Sequence, residues 1–201
     1  MNRYKNKVLI LGNGPDINNI EFNRLPKIIK TAGVNRIWLK HFPKYYFYHD
    51  ADIMKEIDRD IVLRSQLIAK SVCYTSDWLH TQTSNIPNYL KVINRSNPSI
   101  FVDSVNTFMR ILINDNVFNT NDTIFYIAGV PLNWTNPSHF WKDLKYHSLN
   151  KKDKIWYDAR FTRMLSNFKN LKKLGYNMVS VTPNSKLNKI MRYEGIGNLY
   201  T

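Results

Sequence analysis

Lys7-Val8-Leu9-Ile10-Leu11-Gly12-Asn13-Gly14-Pro15-Asp16 is the stretch on which the fold turns. Five residues, most of them apolar and rich in β-formers, run without interruption into a glycine-rich turn, the pattern of a buried strand entering a tight exit. Asp16 is then placed to cap a short helix. Working outward, Asn35-Arg36-Ile37-Trp38-Leu39 after Gly33 and Tyr45-Tyr46-Phe47-Tyr48 before His49-Asp50 read as further strands. Residues 51–65 carry Ile53, Met54, Ile57 and Ile61 at helical spacing, and 70–75 reads as a fourth strand. The polar, asparagine-rich stretch 76–98, broken by Pro87 and Pro98, predicts a long irregular connection.

Beyond it, Val102, Val105, Phe108, Met109 and Leu112 mark a helix, and Thr123–Ala128 is a strand that again ends in a glycine, Gly129. A second long loop, 131–151, holds Asn133, Trp134, His139, Phe140, Trp141 and His147. A basic amphipathic helix over 153–174 closes at Gly175, Met178–Val181 is a last strand, and a terminal helix is expected after Pro183. Strands alternating with helices imply an α/β, Rossmann-like three-layer sandwich with a mostly parallel sheet. The chain of 201 residues suits one domain over 1–201, with 76–99 and 130–152 as lids.

Lys and Arg number 29 against 15 Asp and Glu, a formal charge of +14. Such a field attracts polyanions, so nucleotides, nucleic acid and acidic membrane surfaces are all candidate partners. Richness in Lys, Asn and Ile is equally what an AT-rich genome produces without selection for binding. Cys73 is the single cysteine, which excludes an internal disulfide and a thiolate metal site and fits a reducing cytoplasm. Neither a signal peptide nor an apolar stretch of the ~20 residues a spanning helix needs is expected. No His/Asp/Glu cluster has metal-ligand spacing, and the Asp50-Ala51-Asp52 pair reads as helix capping.

In a parallel sheet the ligand crevice lies beyond the carboxyl ends of the strands. The Gly12–Pro15 turn, Asn35, His49-Asp50 and the loop after Gly129 all fall there. Gly12 and Gly14 let backbone amides and the Asn13 side chain approach a phosphate, although such a turn is also an ordinary strand exit. Among the histidines, His147 is the best placed by sequence for base work, with His41, His49, His80 and His139 as competitors. Trp134, His139, Phe140 and Trp141 suit stacking on a base or sugar, or anchoring of the loop. Arg160, Arg163, Lys169, Lys172 and Lys173 form either a solvated face or a polyanion track.

The order of these motifs resembles the bacterial sialyltransferases that modify lipooligosaccharides, and related phage glycosyltransferases. The resemblance starts in the first strand and its Gly-Asn-Gly-Pro turn and continues through Ile20-Glu21-Phe22-Asn23-Arg24-Leu25-Pro26. It then passes through Asn35, Phe47-Tyr48-His49, Ser104, Ile127-Ala128-Gly129-Val130, His147-Ser148 and Thr182-Pro183-Asn184-Ser185. It implies a sialyltransferase-like variant of the GT-A fold and an inverting, metal-independent glycosyltransferase using a CMP- or UDP-linked sugar and no further cofactor. It further implies His147 as general base, and a donor set of Gly12, Asn13, Gly14 and Asn35, to which position adds His49, Ser104 and Asn133. The chain departs from that family at Asp16 (a serine there), His49-Asp50 (Asn-Pro), Val102-Asp103-Ser104 (Thr-Ser-Gly) and the lid tyrosines, which find no counterpart near 131–143. The basic, span-free chain directs the acceptor expectation to DNA, specifically a hydroxymethylated base in phage DNA modified in the host cytoplasm. A non-catalytic nucleotide or nucleic-acid binder and a glycan sialyltransferase are the alternatives.

Overall fold

The structure, a computed structural model, describes residues 4–93, 103–132 and 151–201. Eight strands form one sheet in the order β5-β4-β3-β2-β1-β6-β7-β8: β1 (Asn6–Leu11), β2 (Ile29–Val34), β3 (Tyr45–Phe47), β4 (Val72–Ser76), β5 (Lys91–Ile93), β6 (Thr123–Ala128), β7 (Asn177–Ser180) and β8 (Arg192–Tyr193). Every pairing is parallel. The mostly parallel α/β expectation therefore holds.

β1 lies at the centre, and its side chains show why the fold has three layers. Successive strand residues point to opposite faces. Leu9 and Leu11 join a core with Ile53, Met54 and Ile57 of α1 (Ala51–Arg59) and Leu67 of α2 (Ile61–Lys70). Val8 and Ile10 join the other core, with Phe108, Met109 and Leu112 of α3 (Ser104–Asn114) and Phe168 and Leu171 of α4 (Lys151–Lys173). Cys73 is buried in β4, where loss of solvation pushes its thiol up to about 12.

Strand order reverses between β2 and β6, the two neighbours of β1. In open parallel sheets such a reversal is where the ligand crevice lies, here at the carboxyl ends of β1 and β6.

Four expectations are corrected. Residues 35–39 form a short 3-10 helix rather than a strand, and the strand lies just before them at Ile29–Val34. Gly33 sits within β2, where a Cβ would fall 2.7 Å from Ile37, whose buried side chain folds back over the strand. The helix expected over 51–65 is two helices. Asp60 ends the first and caps the second, its carboxylate accepting from the Val62 and Leu63 amides.

Within the connection expected over 76–98, Asp77–Thr81 is a 3-10 helix and Lys91–Ile93 an edge strand. After Pro183 there is no terminal helix; short 3-10 turns at Lys186–Lys189 and Ile196–Tyr200 flank β8. Such two- and three-residue edge strands are set by pairing to a neighbour and leave too few residues for a periodicity. Among the described residues, no helix is long and apolar enough to cross a membrane.

Candidate functional site

The turn after β1 packs against the turn after β6, and glycine makes that approach possible. A Cβ on Gly12 would stand 2.5 Å from the Gly129 carbonyl oxygen, and one on Gly14 would stand 2.8 Å from Pro131 Cδ. The Gly12 amide donates to the Ala128 carbonyl and the Gly14 amide to that of Gly129, each at 2.8 Å. Both amides thus join the two turns. Asn13 stands between them, with its side-chain Oδ1 shielded from solvent and without a donor among the described residues. A buried acceptor left so costs about 1–3 kcal/mol, and a ligand N–H or O–H would satisfy it.

Asp16 does not cap a helix. Gly14 holds the N-cap position of the 3-10 helix Pro15–Asn19, and Asp16 lies inside it. Its carboxylate accepts the Gly129 amide at 3.0 Å across the crevice. Burial pushes the carboxyl upward, opposed by that bond and by the Thr182 hydroxyl. Asp16 thus ties the β1 exit to the β6 exit.

On the other side of the crevice three expected residues meet. Asn35 leaves β2 at φ +53°, in the left-handed region that asparagine tolerates better than most residues. Ser104 opens α3, and its hydroxyl lies 3.4 Å from Asn35 Oδ1 and 3.5 Å from His49 Nε2. Both contacts are long for hydrogen bonds, so little is lost when a ligand takes either partner. His49 follows β3; its ring meets Phe47 edge-on at 5.4 Å, and its carbonyl accepts from Gln82 Nε2. The Gln82 Oε1 accepts in turn from the Ala51 amide, fixing the β3 exit from the 77–81 side. Ser104 itself is set by Asp103, whose buried carboxylate accepts from the amide and the side chain of Asn106. Burial also drives that carboxyl upward.

The structure therefore joins Asn35, His49 and Ser104, and keeps Asn13 available one strand away. Asn133 and His147 lie outside the described residues, as do Trp134, His139, Phe140 and Trp141. His41 has another role: it stacks on Phe22, contacts the Thr31 hydroxyl at 3.1 Å, and is pushed down to about 4 by burial. His80 is exposed. Asp50 takes the N-cap position of α1 without a side-chain cap bond, and Asp52 sits exposed in the first turn. Among the described residues, no three His, Cys, Asp or Glu side chains group as a metal site would require.

Tyr46 is a residue the sequence did not single out. Its fully buried hydroxyl donates to the Asn35 carbonyl at 2.6 Å, holding the left-handed turn. Tyr46→Phe should cost about 0.5–1.5 kcal/mol in urea denaturation, the usual worth of one such bond, while circular dichroism stays unchanged. A loss within error would mean that the bond does not hold the turn.

No protein-family model matches the chain, and no curated protein is similar to it at significance. Solved structures do match along nearly its whole length. The sialyltransferase CstII from Campylobacter jejuni, in complex with the substrate analogue CMP-3FNeuAc, superposes with a TM-score of 0.56 at 13% identity, covering 94% of this chain and 86% of that one. The sialyltransferase CST-II with a trisaccharide acceptor and CMP gives 0.55 at 14%, covering 97% and 88%. The monofunctional α-2,3-sialyltransferase Cst-I from Campylobacter jejuni gives 0.51 at 14%, covering 95% and 80%. At such identities the likeness speaks for architecture: this chain has the Rossmann-like, GT-A-type fold of the Campylobacter jejuni sialyltransferases.

Proposed function

We propose that this chain is a glycosyltransferase that moves a sugar from a cytidine-linked donor to an acceptor hydroxyl. The observation that carries the reading is the convergence of Asn35, His49 and Ser104 at the carboxyl ends of the strands, with Asn13 Oδ1, which has no donor among the described residues, at the β1 exit. In this type of sheet that is where nucleotides bind. The solved neighbours, two of them bound to CMP or a CMP-sugar analogue, point to cytidine ahead of UDP.

In this scheme the polar groups of the crevice hold the nucleotide and stabilise the departing phosphate, while His147 takes the proton from the attacking hydroxyl. The anomeric carbon passes through an oxocarbenium-like state with inversion. None of these parts is a metal. Lids over 76–99 and 130–152 remain part of the proposal.

For the acceptor, a glycan hydroxyl has the better support, because one solved neighbour carries a trisaccharide acceptor. A hydroxymethylated base in DNA is the second reading, favoured by the charge of the chain. A non-catalytic nucleotide binder is the competing class.

A thermal-shift series over CMP, UDP, GDP and their sugars tests the donor. Ligand at a hundred times its Kd adds about 2.7 kcal/mol to apparent stability. CMP and CMP-sugars should raise the midpoint well above the other nucleotides, and no shift with any of them would sink the reading. Incubating the protein with CMP-sugar and either a glycan panel or hydroxymethylated DNA, read by mass, then separates the acceptors.

A further inference from the structure

The positive charge is not evenly spread, and its distribution argues against a merely compositional origin. Between Asp158 and Glu194 the chain carries eight Lys and Arg and no carboxylate. Over residues 50–60, by contrast, five Asp and Glu stand against two Lys and Arg. A genome-wide enrichment in lysine would add cations throughout and would not strip one segment of acids.

The fold gathers that segment on one edge of the sheet. Lys169, Lys172 and Lys173 project from the last turns of α4 at helical neighbour spacing. Lys172 Nζ donates to the Ile190 carbonyl, which brings the helix against the 186–189 turn, and β8 follows with Arg192. Lys169, Lys173, Lys189 and Arg192 are exposed. The strip starts beside the crevice, where the Lys186 amide bonds the Pro131 carbonyl and Ser185 Oγ bonds that of Val130. Glu194 lies near its far end, 2.5 Å from Arg192, whose side chain remains 66% exposed.

Folding does not call for this arrangement. Lys172 and Lys173 complement the carboxyl end of α4, but the 186–189 turn is too short to have a macrodipole. Lys169 and Lys173 repel each other at i,i+4 without an intervening acid.

We infer that this edge, from Lys169 to Arg192, is a docking surface for duplex DNA. A duplex presents one phosphate charge per about 1.7 Å of axis, so a strip of exposed cations can neutralise several at once. Tyr193, 45% exposed beside Arg192, adds an aromatic contact. The inference stands on charge and placement, independently of the transferase reading, and it bears on which acceptor that site serves.

Fluorescence anisotropy with a labelled duplex across a salt series tests it on the full chain. Lys169→Gln/Lys173→Gln/Lys189→Gln is compared with Lys40→Gln/Lys55→Gln/Lys70→Gln, which removes the same charge from the β3 to α2 side. The edge triple should lose about tenfold or more in affinity at low salt, and its log–log salt slope should fall by about three. The remote triple should stay close to the parent chain. Equal weakening by both triples, no duplex binding, or tighter binding of a sulfated polysaccharide or of phosphatidylserine vesicles than of DNA would overturn the inference. CMP-induced thermal shifts measured on the same variants report the crevice separately, so its failure and the failure of the edge are distinguishable.

Discussion

Gly129→Ala should destabilise the chain by about 2–5 kcal/mol, the largest loss expected from adding one methyl group. Two costs combine. Gly129 sits at φ +71°, where a side chain costs about 1–2 kcal/mol. Its Cβ would also lie 2.8 Å from Ile17 Cγ1 and 2.9 Å from the Gly12 backbone. Ile17 is wholly buried and packed in the core shared with α1, so it has nowhere to retreat, and overpacking of this kind adds about 1–3 kcal/mol.

The damage would reach the site as well, because the Gly129 amide donates to Asp16 and its carbonyl accepts from Gly14. For a chain of this size the thermal midpoint should drop by roughly 5–20 °C. Gly175→Ala is the internal control. It shares the left-handed backbone, at φ +85°, but has nothing within 4 Å of the added Cβ, so it should show only the conformational cost of about 1–2 kcal/mol. Equal losses at the two positions in urea denaturation would refute the close packing of the β1 and β6 exits.

That packing also explains what could be read from the sequence. β1 and β6 were legible because both faces of each are buried, so each appears as an unbroken apolar run. β2 was not, because Lys30 is exposed and Thr31 is buried only by pairing its hydroxyl with His41 and the Lys44 amide. The strand's identity is a property of its neighbours. Asn35, His49 and Ser104 were legible as candidates from the order of motifs, and the structure brings the three side chains together.

The packing role of the glycines was not legible in the sequence for a definite reason. A Gly-x-Gly turn looks the same in sequence whether the missing side chains admit a phosphate or a neighbouring backbone, and here the neighbour is Gly129, far along the chain. Asp16 is the same case. Its partner is 113 residues away, so local capping was the natural expectation and a cross-crevice tie the outcome.

His147→Ala should lower turnover by about 10²–10⁴-fold, the range a positioned acid or base contributes, while leaving CMP binding intact. The reasoning joins two halves of the proposal. The donor-binding half rests on Asn13, Asn35, His49 and Ser104, which belong to the sheet ends and α3, so removing the His147 imidazole, which is not one of them, should not change the CMP-induced rise in midpoint. The chemical half rests on an imidazole that must be neutral to take the proton, so the parent enzyme should lose kcat/KM at acid pH as that imidazole is protonated, and the variant should lack this limb. A non-catalytic binder would show no turnover in either form and an unchanged CMP shift. Turnover that survives in His147→Ala with its acid limb intact would remove His147 and turn attention to His49, the one described histidine in the crevice. His49→Ala then distinguishes the roles: as a donor contact it should weaken the CMP shift, whereas as the base it should abolish the acid limb and spare the shift.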